Sequence, residues 1–279
     1  VQNVSLSCNG LGSLVVAGSG NLIANTRLLG CGAFDAGAGN TWDGINGPAA
    51  RFEAHGSAGL TIQNSSIGSV ALGPNGSGST DTSLRHTSFA GLLAGVEGIT
   101  QGLVVEGGSC DLSARGSCLL LAAGTRDARI GGCGPGQAVS IAAIDAGVGV
   151  GGSAERVSVL CNNIGAQGVG IDVRTDGTGT PSVVRLESNT VSAGRIGVQI
   201  VGATPLAVGN TVNGSQAGIA VTPYTGTDRS YAGLGDDVAA TPTITGNTIH
   251  DSAIGIFHQD ARSANFATLR ADNTFTNVT

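Results

Sequence analysis

Side chains of the types that do chemistry gather late in the chain. Asp228, Asp236, Asp237, His250, Asp251, His258 and Asp260, with Arg262 beside them, place carboxylates, imidazoles and a guanidinium in one stretch. If such groups converge, they can hold a hydroxylated substrate and move protons on it. The competing reading makes Asp236 and Asp237 solvated loop charges. The segment Thr222 to Pro242, which carries part of the set, also holds both tyrosines, Tyr224 and Tyr231. With Trp42 and Phe257, these are the aromatic groups expected to contact a ligand.

A second group is Asp172, Arg174 and Asp176, polar at alternate positions. Calcium is the one cofactor it raises, and calcium wants about six to eight oxygens. The equivalent positions one repeat later are Gln199, Val201 and Ala203, so no acidic row continues and no metal site is expected. Glycine strings such as Gly147 to Gly152 lack the strand–helix context of a phosphate loop. The four histidines (His55, His86, His250 and His258) are scattered, so no Ser-His-Asp arrangement is legible.

The elements that position these residues follow from composition and period. Of 279 residues, 48 are Gly, charged residues make up 11% and aromatic ones 3%, against ~25% charged in an average domain. Hydrophobic residues still make up 41%, mostly Val, Ile, Leu and Ala, which fill a narrow regular core. Lysine is absent, so all 13 basic residues are Arg, and net charge is −6. No basic stripe exists to face phosphates, which excludes nucleic acid as the expected partner. No apolar run approaches the ~18 residues of a membrane span. Met is absent, and Val1 to Ser7 lacks the features of a signal peptide. The chain therefore reads as one domain, 1–279, a mature or excised portion of something longer.

The repeat is plain in the C-terminal half. Asn162-Asn163-Ile164 precedes Val169-Gly170-Ile171, and Asn189-Thr190-Val191 precedes Ile196-Gly197-Val198. Asn210-Thr211-Val212 precedes Ala217-Gly218-Ile219, Asn247-Thr248-Ile249 precedes Ile254-Gly255-Ile256, and Asn273 opens another copy. Starts 27, 21, 37 and 26 residues apart, built from short strands with Gly and Asn at corners, are a β-solenoid pattern. Stacked coils superpose like on like at ~4.8 Å. Asn162, Asn189, Asn210, Asn247 and Asn273 are thus expected to form a hydrogen-bonded row, each in a left-handed corner conformation. Alternation places Ile171, Val198, Ile219 and His258 inward, and Phe257 outward in line with Ala220, Gln199 and Asp172. Asn25, Asn64, Thr87 and Gly95 read as further corners. The excess segments Gly30 to Pro48 and Gly73 to Thr82 read as loops. About ten to twelve coils are expected.

Six cysteines without a Cys-x-x-Cys pair favour disulfides and an oxidising, secreted or cell-surface location. Cys8 and Cys31 are 23 residues apart, as are Cys110 and Cys133, which is one coil. Those two pairings are expected, with Cys110–Cys118 as the local competitor.

The pattern N-[TNS]-[IV]-x5-G-[IV]-x-[IV] resembles that of the right-handed parallel β-helix repeat proteins, the pectate-lyase-like superfamily. The resemblance is closest from Cys161 to Thr279, with His258 replacing the last [IV] in its copy. It implies an all-β, single-stranded right-handed parallel β-helix. Superfamily hydrolases use an Asp cluster near a His and a basic residue; Asp236-Asp237 and His55-Gly56 are similar to parts of that, though many coils apart. Its lyases pair carboxylate-held calcium with an Arg or Lys base. Because aromatics are few, the first functional expectation is a non-catalytic structural, adhesive or fibre-forming scaffold. It would meet a glycan or self-associate through its end coils. The alternative is a polysaccharide lyase or glycoside hydrolase with a groove near residues 222–242. A lattice-binding face is a third, from Thr190, Thr211, Thr248 and Thr274 in register.

Overall fold

A computed structural model describes residues 1–8, 12–96, 98–176, 179–224, 238–259 and 266–278. They form a right-handed parallel β-helix of about 11 turns. Each turn visits three stacks of strands. The first has ten short strands, from Leu22–Ala24 to Thr243–Thr245. The second runs from Ser5–Ser7 to Thr274–Thr276 and the third from Ser13–Val16 to Ile254–His258. The last two meet in one 21-stranded sheet because Asn46–Ala54 and Ser66–Leu72 pass through both. A four-stranded ladder, Ser57–Ala58 to Thr125–Arg126, follows the third stack in the early turns.

Strands of the first stack are triplets with one inward residue, such as Ile23, Ile62, Leu84, Ile130 and Leu186, each at most 1% exposed. The inward residues of successive turns stack into a continuous apolar column. Ile171, Val198 and Ile219 are fully buried in the third stack. His258 pairs with Val221 at the end of its strand and is half-buried.

After nearly every first-stack triplet the chain turns through a left-handed residue. Asn25 (φ 47°) and Asn64 (φ 49°) do this early, and Cys161 (φ 55°) and Ser188 (φ 54°) do it later. The repeated asparagines are the next residue, not the left-handed one. Their work is hydrogen bonding. Asn162 Nδ2 donates to Asn189 Oδ1 (3.1 Å), Asn189 to Asn210 (2.9 Å), Asn210 to Asn247 (2.9 Å) and Asn247 to Asn273 (3.0 Å). Each Oδ1 also accepts a main-chain N–H from the preceding turn, as Asn189 Oδ1 does from Asn162 (3.0 Å). The second amide proton goes to a first-stack carbonyl, Val159 for Asn189 (2.8 Å). A buried polar row stabilises only when every member is satisfied, and this one is. In the early turns the same corner is filled by Thr26, Ser65 and Thr87, all buried.

The glycine of the repeat is required by crowding. A Cβ on Gly197 would lie 2.1 Å from Val212 Cγ1 and 2.6 Å from the Gly218 carbonyl oxygen, and Gly170 faces the same conflict with Val191 and Gly197.

Three disulfides form. Cys8 joins Cys31 across adjacent turns, with Cα atoms 5.0 Å apart. The expected Cys110–Cys133 bond is absent: Cys110 joins Cys118 (Cα–Cα 6.1 Å) and Cys133 joins Cys161 (5.2 Å). Cys110 points inward from the second stack, where its neighbour one turn on is Ile141. That turn is longer than 23 residues, so equal spacing does not superpose Cys133 on Cys110. Cys118 faces Cys110 across the core of its own turn instead. Gly30 to Pro48 is not a loop: it holds strands Gly32–Asp35 and Thr41–Asp43 and the start of Asn46–Ala54. A short helix, Phe266–Ala271, was not expected; its Leu269 packs against the core.

Candidate functional site

Among the described residues, the outer face of the third stack carries the most concentrated chemistry. Strand Asn46–Ala54 alternates, with Phe52 and Ala54 fully buried and Arg51 and Glu53 outside. His55 follows on the outer side. Arg51 Nε sits 2.6 Å from Glu53 Oε1, and His55 Nε2 is 2.9 Å from Glu53 Oε2. Both carboxylate oxygens of Glu53 are therefore engaged. Phe34, the register partner of Glu53 one turn earlier, stacks on His55 with ring centroids 4.1 Å apart. Of these groups, Phe34, Arg51 and Glu53 line an open cleft of about 470 Å³, together with Ser13, Gly32 and Ala49 among others.

The same face continues toward the C-terminus. Register pairs link Val15, Phe34, Glu53, Ala71, Leu93, Leu120, Gly149, Asp172, Gln199, Ala220 and Phe257 in one row. Val15, Leu93 and Phe257 are among the exposed large apolar side chains, Phe257 at 43%. The row is thus an apolar strip with polar stations at Glu53 and at Asp172–Gln199. Arg174 donates through Nη2 to Asp172 Oδ2. Asp172 is only 13% exposed, and burial pushes its carboxyl up, with Arg174 working against that.

Most of the expected late constellation is not in view. Asp228, Asp236, Asp237, Asp260, Arg262 and Tyr231 lie outside the described residues. His250 lies on the second stack, a different face from Phe257, with Nδ1 2.8 Å from Asp251 Oδ2. Asp251 also accepts from Asn277 Nδ2 (2.9 Å). The bond to His250 and then that to Asn277 hold its carboxyl below the usual range. Trp42 is corrected: it is the inward residue of its triplet, 0% exposed and edge-on to Phe52. Its Nε1 donates to buried Asp35 (2.8 Å), which also accepts from Asn40 and Ser57. Tyr224 is corrected too, being 7% exposed, so its ring offers no open platform. No group of three or more His, Cys, Asp or Glu able to hold a metal occurs among the described residues.

From the sequence, His55 stood alone and was not joined to Phe34. The available signal was Arg51-x-Glu53-x-His55 on one strand, with an aromatic residue one turn earlier. Several other charged groups are spent on one another. Glu106, buried in the first stack, takes Arg129 (2.5 Å) and Gln137 (3.2 Å). The Arg156 guanidinium holds Asp127 well below the usual carboxylate range.

No protein-family model and no curated protein matches the chain. Among solved structures, the chain is similar to the periplasmic alginate epimerase AlgG, with TM-score 0.50 and 13% identity, over 96% of this chain and 76% of that one. It is also similar to a mutant tailspike protein of E. coli bacteriophage HK620, with TM-score 0.50 and 14% identity. That match covers 99% of this chain and about half, 54%, of the tailspike. These likenesses show the parallel β-helix fold. No helix among the described residues is long and apolar enough to cross a membrane.

Proposed function

We propose that the chain is a secreted or surface β-helix that binds a hydroxyl-rich glycan, without chemical turnover, over the outer face of its third stack. The observation that carries this is the stack of Phe34 on His55 beside the Arg51–Glu53 pair. A flat ring next to groups that both donate and accept suits a sugar, which is apolar on its ring face and polar at its edge. Arg51 and Glu53 cancel in charge, so the cleft is not built for a polyanion. The likeness to an alginate epimerase supports a saccharide as the class of ligand, not its charge. The three disulfides support an oxidising compartment.

Binding without turnover is favoured because glycoside hydrolysis needs two carboxyl groups, about 5–10 Å apart. Among the described residues lining the cleft, Glu53 is the one carboxylate. One observation favours the enzymatic reading: His55 is held by Glu53, as a proton-abstracting base would be.

The test is binding of an array of neutral and uronic oligosaccharides to the whole chain, with Phe34→Ala and Arg51→Ala alongside. Saturable binding that falls tenfold or more in both variants is expected. Binding unaffected by either, or none at all, rejects the cleft. Product release that disappears in His55→Ala moves the protein to the enzymatic reading.

A further inference from the structure

Asp172 differs from the other partly buried carboxylates on the outer surface. Its Oδ2 accepts from Arg174, while its Oδ1 is shut from solvent and has no donor among the described residues. Nearly all buried polar atoms in proteins find a partner, so an orphan calls for an explanation. The surroundings cannot supply one from below. The register partner one turn earlier is Gly149, which has no side chain, and before it lie Leu120 and Leu93. Gln199 is the partner one turn later, and its amide does not reach Oδ1. Arg174, bonded to the neighbouring Oδ2, is half exposed on a flexible stem.

We infer that Asp172 and Arg174 form a second contact for the same glycan, and that the sugar seated there is neutral. This rests on the glycan-binding reading of the cleft. One sugar hydroxyl donates to Asp172 Oδ1, and the adjacent hydroxyl oxygen accepts from Arg174. A uronate is the wrong ligand, because its charge would oppose Asp172 and Arg174 is already neutralised by that carboxylate. The direction of the ligand follows as well. Glu53 and Asp172 share one row, joined through Ala71, Leu93, Leu120 and Gly149. At ~4.8 Å per turn the two stations are about 24 Å apart along the helix axis. The intervening floor is small or apolar, fit for ring faces. The glycan therefore lies parallel to the axis and touches both stations.

The experiment is calorimetric titration of the whole chain with neutral linear hexasaccharides (gluco-, manno-, galacto- and N-acetylglucosamine series) and a galacturonate hexasaccharide. Asp172→Ala, Arg174→Gln, Phe34→Ala and Arg51→Ala are compared, each first checked for the parent's melting behaviour. Asp172→Asn serves if Asp172→Ala does not fold. A neutral hexasaccharide should bind, and losing either station should weaken it at least tenfold. Two results overturn the inference: the galacturonate hexasaccharide binding more tightly than every neutral one, or Asp172→Ala and Arg174→Gln staying within twofold of the parent. If the second occurs while Phe34→Ala and Arg51→Ala abolish binding, the cleft stands alone. If Asp172→Ala weakens binding and the cleft variants do not, the cleft reading falls and the Asp172 station remains. If no saccharide binds, both fall.

Discussion

Glu53 and Asp172 occupy the same register row of the third stack, five pairings apart, yet their carboxylates are satisfied differently. Glu53 has a partner on each oxygen; among the described residues Asp172 has one on Oδ2 and none on Oδ1. The first is a finished ion-pair network at the surface. The second leaves an acceptor bare, at a cost of about 1–3 kcal/mol.

Asp172→Ala should therefore melt at or above the parent near neutral pH, unlike most substitutions of a half-buried residue. Burial raises the folded-state pKa of Asp172 above its unfolded value of ~3.9. Its favourable contribution is complete below that unfolded value and is lost as pH rises through the folded one. The gain in Asp172→Ala should then shrink as pH falls from 7 toward 4. Melting curves at each pH for both proteins check this; a gap that widens on acidification would contradict it.

Asp251 should show the opposite trend. His250 and Asn277 lower its pKa, so its contribution is present above ~3.9 and fades as pH falls through the lower folded value. Asn277→Ala should narrow the difference in stability between pH 6 and pH 3. Hydrogen exchange of the strand Thr248–His250 reads this locally.

Asn189→Ala should be among the costliest single changes in the late turns. It strips an acceptor from the main-chain N–H and amide of Asn162, and a donor from the Val159 carbonyl. With about 1–3 kcal/mol per buried unpaired group, a loss of several kcal/mol is expected in urea unfolding. Thr190→Ala, one residue on and exposed, serves as the control and should change little. Equal midpoints for the two variants would mean the amide row contributes nothing.

Gly197→Ala should destabilise by about 1–3 kcal/mol through overpacking, because the new methyl meets Val212 and the Gly218 carbonyl. Val212→Ala in the same chain removes one of those conflicts. The double variant should recover part of the loss beyond the sum of the two single effects.

The late turns were legible because four near-identical copies fix where strands, corners and inward residues fall. What spacing could not show was the division of labour at the corner. The left-handed turn falls to Cys161 and Ser188, and the asparagine after each carries the hydrogen bonds. The early turns were harder to read because Thr26, Ser65 and Thr87 fill the same corner without asparagine. Trp42 misled because rarity and size suggested a surface anchor, yet its triplet position turns it inward. The Cys110–Cys133 expectation failed on turn length: one coil is not a constant number of residues. The cleft of Phe34, Arg51 and Glu53 was not assembled because alternate charges on a strand are ordinary, and only the stacked turns bring Phe34 beside Glu53 and onto His55. Asp172 was placed on the right face, but its burial depends on neighbours from other turns that no local window contains.

The asparagine row also has a direction. Every bond in it runs from an amide in one turn to an oxygen in the next, never the reverse. In mechanical language the late half of the rod is a zipper with unlike ends. Tearing off the turn that holds Asn247 leaves Asn210 with two donors and no acceptor. Tearing off the turn that holds Asn162 leaves Asn189 with an oxygen that has lost both its donors. A load applied along the axis therefore meets a different first step at each end, so the rod resists peeling unequally from its two sides.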